Sequence, residues 1–151
     1  MAEQGSSKLR AVLLEWSDVP LRAALAATFV YHGWSKLSGG MDSFTQLLGS
    51  LNVPTPVLMA WVAALPEFVG GLFLALGLAT RIAALGHMGV MTVAISQIHW
   101  AQGFETRAGN GHVVGFEWQA ALFCMALCLV MRGAGPLSLD RLISRWRAKK
   151  S

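Results

Sequence analysis

The most prominent pattern in the sequence is a set of four long apolar stretches separated by short polar segments. These stretches cover about residues 19–37, 56–79, 82–101 and 114–131. Each is close to the ~20 residues that an α-helix needs to cross the hydrocarbon core of a bilayer. The pattern predicts an all-α fold, an integral membrane four-helix bundle formed by residues 1–151 as a single domain.

The segments between and beside these stretches predict three short amphipathic helices at the membrane interface. Residues 8–18 alternate charged and apolar side chains at helical spacing, and residues 43–51 form a second such segment in the first outer loop. In the basic tail, residues 132–151, the chain breaks at Gly-Ala-Gly-Pro and restarts with Ser138 as the N-cap of a third helix. The turn at 77–81 is so short that the second and third spans must be antiparallel neighbours.

Composition supports a lipid environment. Hydrophobic residues make up 54% of the chain and charged residues only 13%, whereas soluble domains carry about a quarter charged residues. The two cysteines, Cys124 and Cys128, are four residues apart in the fourth span, a spacing that does not suit a disulfide within one helix. We expect them to pack as small apolar residues.

The distribution of basic residues predicts the orientation. Of the 12 lysines and arginines, ten fall on the side that carries both termini, and two, Lys36 and Arg107, fall on the other. Basic residues accumulate on the cytoplasmic side, so both termini are predicted to be cytoplasmic in a bacterial plasma (inner) membrane. The first apolar stretch is long enough to span, so no cleavable signal peptide is expected. The basic tail is expected to contact anionic lipid, and no motif indicates nucleic acid.

Several polar side chains lie inside the predicted spans. Thr28, His32 and Lys36 recur every four residues on one face of the first span, and Glu67 lies near the middle of the second. A charged group at the bilayer centre costs at least ~2.5 kcal/mol, so such residues face the protein interior and find partners. We therefore expect Lys36 and Glu67 to contact each other.

The helix face around Glu67 is made of small residues, which let membrane helices approach closely. These residues are Ala60, Ala63, Ala64, Gly70, Gly71 and Ala75. We predict helix packing on this face, through Ala63, Ala64, Gly70 and Gly71 above all. Phe68, Leu72 and Phe73 take the positions that face lipid.

With the predicted topology, further polar groups converge in the outer half of the bundle. The candidates for ligand binding or proton exchange are His32, Lys36, Glu67, Gln97, His99 and Glu117. We expect them to line a polar cavity that opens outward and narrows to Glu67 below the others.

Each residue also has a simpler interpretation. Lys36 could extend to the interface from a helix end, and His99 beside Trp100 could mark that interface. Glu117 suits a helix N-terminus, and His87 is best explained as a polar group satisfied inside the bundle. The His and Glu candidates would suit zinc or iron by type, but the Glu-x-x-His spacing of bundle metal sites is absent. We therefore predict no metal.

The chain resembles the DoxX family of small four-span bacterial membrane proteins from about residue 21 to 140. The resemblance rests on "HGWSK" (32–36), "PEFVGGLFLALGLATR" (66–81), "GFE" (115–117) and "GAGPLSLD" (133–140). It implies a four-helix membrane bundle. It also implies an association with respiratory or sulfur redox chemistry, because the family is related to the DoxD-type subunit of thiosulfate:quinone oxidoreductase. A family name supports the fold better than the reaction.

Three functions remain open from the sequence. The first is a redox-associated membrane subunit whose polar pocket binds a quinone or similar small molecule, with no intrinsic cofactor. The second is a non-catalytic accessory or assembly subunit of a larger membrane complex, in which Lys36 and Glu67 form a structural ion pair. The third is a small solute or proton carrier, which with four spans would need to oligomerise. Expected partners are the lipid bilayer and other membrane subunits or further copies of the chain.

Overall fold

The structure is a computed structural model that describes residues 2–105 and 115–150, and all of its regular elements are helical. In chain order the α-helices are α1 (Ala2–Trp16), α2 (Asp18–Ser35), α3 (Met41–Ser50), α4 (Pro56–Leu76), α5 (Thr80–Val93), α6 (Glu117–Arg132) and α7 (Leu139–Ala148). A π-helical turn at Lys36–Gly40 follows α2. Another at Ala94–His99 follows α5 and continues into a 3₁₀ turn at Trp100–Gln102.

The four predicted spans correspond to α2, α4, α5 with its extension, and α6. Two helices, Pro56–Leu76 and Thr80–Gln102, are long and apolar enough to cross a membrane by length and composition. Helix α2 has 18 residues and α6 has 16, so the count of four spans stays a prediction. The predicted start of the fourth span near 114, and Arg107 in the loop before it, lie outside the described residues.

Helices α2 and α4 form the closest pair in the bundle. A Cβ added to Gly33 would lie 2.6 Å from the backbone nitrogen of Phe68, and one added to Gly71 would lie 2.8 Å from that of Val30. Only a hydrogen fits at these two positions, so the small residues set the distance between the helices. The core around this pair is formed by Leu25, Phe29, Leu74, Leu122 and Leu129.

The buried face of α4 is narrower than predicted. Its buried residues are Ala60, Ala64, Glu67, Gly71 and Leu74, spaced alternately four and three apart. Ala75 falls off this stripe and is exposed, so its predicted place in the helix contact is wrong. Phe68 is half-buried and its ring lies 5.8 Å from that of Trp34, so it is not a purely lipid-facing residue.

The cysteines also differ from expectation. Cys124 and Cys128 are free thiols exposed on α6. Their side of the helix points away from the core, because the buried residues of α6 are Leu122, Ala126 and Leu129. The prediction that they pack as small apolar residues therefore does not hold for the interior of the described bundle, where neither thiol is buried.

The three predicted short helices are present as α1, α3 and α7. The hydroxyl of Ser138 accepts a hydrogen bond from the Arg141 amide at 3.3 Å, which is the predicted N-cap of α7. Apolar side chains on α1 and α7 are exposed, including Leu13, Trp16, Leu142 and Trp146. Such apolar surface beside basic residues is typical of helices that lie at a membrane interface.

Helix α7 is attached to the turn between α4 and α5. The Asp140 carboxylate accepts hydrogen bonds from the amides of Ala79 at 2.7 Å and Thr80 at 2.9 Å. The Asp140 amide in turn donates to the carbonyl of Gly77 at 2.9 Å. Asp140 thus satisfies first-turn amides of α5 and places a negative charge at the positive end of that helix.

Two arginines strengthen the same end of the bundle. Arg22 is buried and donates to the carbonyls of Ala134 and Leu137, the latter at 2.7 Å. Arg132 forms an ion pair with the buried carboxylate of Asp18. In the sequence analysis these two arginines served only to predict the orientation of the chain. The structure shows that they also connect the ends of α1, α2, α6 and α7.

Candidate functional site

The centre of the candidate site is an ion pair between α4 and the turn that follows α2. The ammonium of Lys36 donates to Oε1 and Oε2 of Glu67 at 2.6 and 2.5 Å. Glu67 is 4% exposed, and the side chain of Lys36 is 21% exposed. The predicted contact is present, and Lys36 points into the bundle instead of extending to an interface.

The backbone departs from regular α-helical geometry at two places beside the site. Lys36 begins the turn Lys36–Gly40, and the turn Ala94–His99 contains Gln97 and His99. Gly39 has φ 147°, a conformation that favours glycine, so the first turn contains a kink between two helices. The second is a π turn, a feature that widens a helix locally and recurs at functional sites. The local backbone thus sets the direction in which Lys36, Gln97 and His99 point.

A cavity of about 720 Å³ opens beside the ion pair, between α2, α5 and α6. We call it the polar cavity. Its polar lining consists of Thr28, His32, Lys36, Glu67, His99, Glu117 and Gln119. The stripe predicted on α2 therefore faces one space together with the predicted groups from α4, α5 and α6. Gln97 is the exception among the candidates, since it does not line this cavity.

Trp118 and Gln119 also line the polar cavity, although the sequence analysis singled out neither of them. Trp118 presents an indole to it, and Gln119 presents an amide whose Oε1 is buried and has no hydrogen-bond partner in the part of the chain that the structure describes. A buried acceptor without a donor costs about 1–3 kcal/mol. An amide inside a predicted span was the signal that could have identified Gln119.

A second cavity of about 500 Å³ lies on the other side of the ion pair, between α3, α4 and α5. We call it the apolar cavity. Most of its lining is apolar: Phe44, Leu48, Leu51, Val53, Pro54, Met59, Val62, Ala63, Val90, Val93, Ala94 and Ile98. Gln97 lines this cavity, together with Asn52. The structure thus separates Gln97 from His32, His99 and Glu117, because Gln97 lines the cavity on the opposite side of the ion pair.

His87 is a buried residue of α5 whose ring packs next to the backbone of Glu67. It is 2% exposed, its Nδ1 lies 2.7 Å from the carbonyl oxygen of Ala83, and its ring centroid lies 3.7 Å from that of Phe29. Its Nε2 faces the backbone oxygen of Glu67 at 3.4 Å. The prediction of a satisfied polar group inside the bundle is confirmed. A Cβ on Gly70 would lie 2.7 Å from the His87 ring, so this glycine makes room for the imidazole.

The geometry supports binding of a small polar group more than binding of a metal. Across residues 2–105 and 115–150, no group of three or more His, Cys, Asp or Glu side chains is arranged to hold a metal ion. Lys36 supplies a donor, Glu67 an acceptor and Gln119 an unused acceptor at one cavity, surrounded by apolar side chains. Such a cavity has the character of a ligand site, which is mostly apolar with a few placed polar groups.

Comparison with known proteins gives three findings. The family model for DoxX matches residues 17–100, more than half of the 151 residues. A protein of Bacillus subtilis (strain 168) named "Putative oxidoreductase CatD" is 30% identical over 131 residues, covering 87% of this chain and 88% of the relative. The "Inner membrane protein YphA" of Escherichia coli (strain K12) is 28% identical over 122 residues, covering 80% and 85%.

No solved structure gives a significant match to this chain. The part matched by the family model extends from the start of α2 to the end of the π turn after α5. It therefore contains Lys36, Glu67 and most of the apolar cavity, whereas Glu117 and Gln119 lie beyond it.

Proposed function

The chain belongs to the DoxX family. From its family and the geometry of the site we propose that it is a redox-associated subunit in a bacterial membrane, and that it binds a quinone ring in the polar cavity. The redox association is supported by the family and by the relative named as an oxidoreductase. The membrane is supported by the relative named as an inner membrane protein and by the two apolar helices. As such a protein the chain contacts the lipid bilayer.

The observation that carries this proposal is an ion pair in the wall of a partly open cavity of ligand size. Drug-sized ligands occupy cavities of about 300–1,000 Å³, and the polar cavity has about 720 Å³. The Lys36 ammonium has three protons and uses two of them on Glu67. The third is free to be donated to a ring carbonyl.

The remaining polar groups fit the reduced form of the same ring. A hydroquinone carries two hydroxyl groups, which must donate their protons when they are buried. Gln119 Oε1 is a buried acceptor that finds no donor within residues 2–105 and 115–150, and the Glu67 carboxylate can exchange a proton with the ring. His32 at the same wall is a second group able to donate to a carbonyl or accept from a hydroxyl.

The proposal is tested by titrating the purified protein with a tail-free benzoquinone and with its hydroquinone. Trp118 lines the polar cavity, so binding should quench its fluorescence saturably, and Trp118→Phe should remove most of that signal. Gln119→Leu should lower hydroquinone affinity about fivefold, since it removes one hydrogen bond of ~1 kcal/mol.

The matched control is Gln46→Leu, which changes an exposed glutamine on α3 that lines neither cavity. It should leave both affinities unchanged. Folded protein that shows no saturable binding of either ring form would exclude the proposal.

A second candidate function has a specific observation in its favour. Lys36 and Glu67 touch directly, as expected if the pair only holds α2 and α4 together. In that case the chain acts as a non-catalytic accessory or assembly subunit that contacts other membrane subunits or a second copy. The two candidate functions differ in the effect expected on ring binding when both charges of the pair are removed.

A further inference from the structure

The polar and apolar cavities meet at one boundary. Four residues line both of them: Lys36, Glu67, Ala94 and Ile98. The ion pair therefore separates two spaces, each within the size range of ligand pockets. The other two boundary residues are an alanine and an isoleucine, so beside the ion pair the boundary between the two cavities is apolar.

The two spaces differ in chemistry. The polar cavity carries seven polar side chains, whereas the apolar cavity has only Asn52 and Gln97 in addition to the shared pair. A polar ring placed in the apolar cavity could reach the ion pair and two amides, but it would lose the polar groups that α2 and α6 supply to the polar cavity. Apolar atoms placed in the apolar cavity gain dispersion contacts with the side chains that line it, which have no such partners while the cavity is empty.

Helix α3 covers the apolar cavity and connects it to the ion pair. Leu48 on this helix is buried, and Phe44 lies with its ring centroid 4.5 Å from the Lys36 ammonium. Phe44 thus borders the apolar cavity while it contacts the charged pair. A ligand bound by Lys36 would have its next apolar atoms directed along the Phe44 ring.

We propose that the ligand of the polar cavity carries an apolar chain, prenyl or alkyl, and that this chain occupies the apolar cavity. The inference rests on the proposed quinone function and deepens it, because it identifies a long-tailed membrane quinone as the ligand class instead of a water-soluble ring. The ion pair holds the ring at the boundary, and α3 covers the chain.

Gly89 offers a way to fill the apolar cavity selectively. It lines that cavity, and a Cβ added to it meets no atom within 4 Å. Gly86 lies one turn earlier on α5, has equally open space and lines neither cavity. Gly89→Phe and Gly86→Phe are therefore matched variants that differ in whether the added ring enters the cavity.

The experiment measures the affinity of each variant for one quinone ring with no tail, with a decyl tail and with a prenyl tail, in the same detergent. Gly89→Phe should weaken binding of both tailed ligands roughly tenfold or more and leave the tail-free ring unaffected, because it displaces only the chain. Gly86→Phe should change none of the three affinities. If Gly89→Phe fails to fold, Val93→Trp fills the same cavity from its outer wall.

The outcomes separate this inference from the proposed function. If a folded Gly89→Phe protein binds the tailed ligands as tightly as the native protein, the inference about the chain is overturned. The proposed ring site in the polar cavity is not affected by that result. Binding of decanol as tight as that of the decyl quinone also overturns it, because the cavity would then hold a lipid chain with no ring attached. Absence of ring binding by the native protein excludes the proposed function itself.

Discussion

Glu67 is held as a buried anion by a single cation. It is almost fully buried, and Lys36 bonds to both of its oxygens. Removing one partner of a buried pair leaves the other charge without compensation, which costs more than the pair contributes when it is intact. The consequence of any substitution here depends on whether one charge or both are removed.

We expect Glu67→Gln to lower the free energy of unfolding by ~3–5 kcal/mol, because Lys36 is then buried without a counter-ion. The charge-free double variant Lys36→Met with Glu67→Leu should recover most of that loss. Chemical denaturation in detergent measures both effects. The control is Glu15→Gln, which breaks the more exposed Arg141–Glu15 pair and should cost less than ~1 kcal/mol.

The same double variant separates the two candidate functions. If it folds but no longer binds the quinone ring, the pair contributes to ligand binding. If it folds and its association with partner subunits is unchanged while the native protein binds no ring, the pair is structural and the accessory function is correct. A Glu67→Gln protein as stable as the native one would contradict the account of a buried, paired charge.

Between elements, the contact of α2 with α4 depends on two glycines. Gly33 and Gly71 lie against the backbone of the facing helix, closer than a methyl group permits. Gly86 on α5 faces open space. The chain therefore contains helical glycines that are required for packing and at least one that is not.

Alanine substitution at these two kinds of glycine should have opposite effects. Gly33→Ala should destabilise the protein by ~1–3 kcal/mol, because α2 and α4 must separate. Gly86→Ala should stabilise it by up to ~1 kcal/mol through better helix propensity. Thermal unfolding of both variants in one detergent gives the comparison, and equal signs would contradict the assigned packing.

Helices, caps and turns could be predicted where the residues that determine them are close together in the sequence. Apolar runs and the Ser138 cap are local signals, so the helices and the start of α7 were predictable. The carboxylate that caps α5 comes from Asp140, 61 residues from Ala79, and nothing near Ala79 indicates it. The π turns after α2 and α5 are equally hidden, because no residue pattern marks them.

For the molecule as a whole, the sequence predicts both termini on the cytoplasmic side. The prediction can be tested with single cysteines in a background with Cys124→Ala and Cys128→Ala. Ser6→Cys and Lys149→Cys should react with a membrane-impermeant maleimide only after cell lysis. Asp42→Cys and Gln102→Cys should react in intact cells. Labelling of both terminal cysteines in intact cells would contradict the orientation, and labelling of only one of them would contradict the even number of spans.

The candidate site was predictable in part from whole-chain topology. Placing four helices side by side was enough to bring Lys36 to Glu67, and to gather His32, His99 and Glu117 around one space. The division into two cavities was not predictable, because it depends on how α3 folds over α4 and α5. For the same reason Gln97 was predicted to line the polar cavity and does not, whereas Gln119 was not predicted and does. Side-chain direction follows from backbone turns that the sequence does not reveal.

The attachment of α7 also governs the order in which the molecule can be completed. On the ribosome α7 is made after α2, α4 and α5, yet it supplies the cap of α5 through Asp140, and the segment leading to it supplies the acceptors for Arg22. Until it arrives, a buried guanidinium and two helix amides lack these partners. The segment from Ala134 to Asp140 therefore completes the polar contacts at this end of the bundle: a chain cut short before it leaves the Arg22 guanidinium and the amides of Ala79 and Thr80 without these partners.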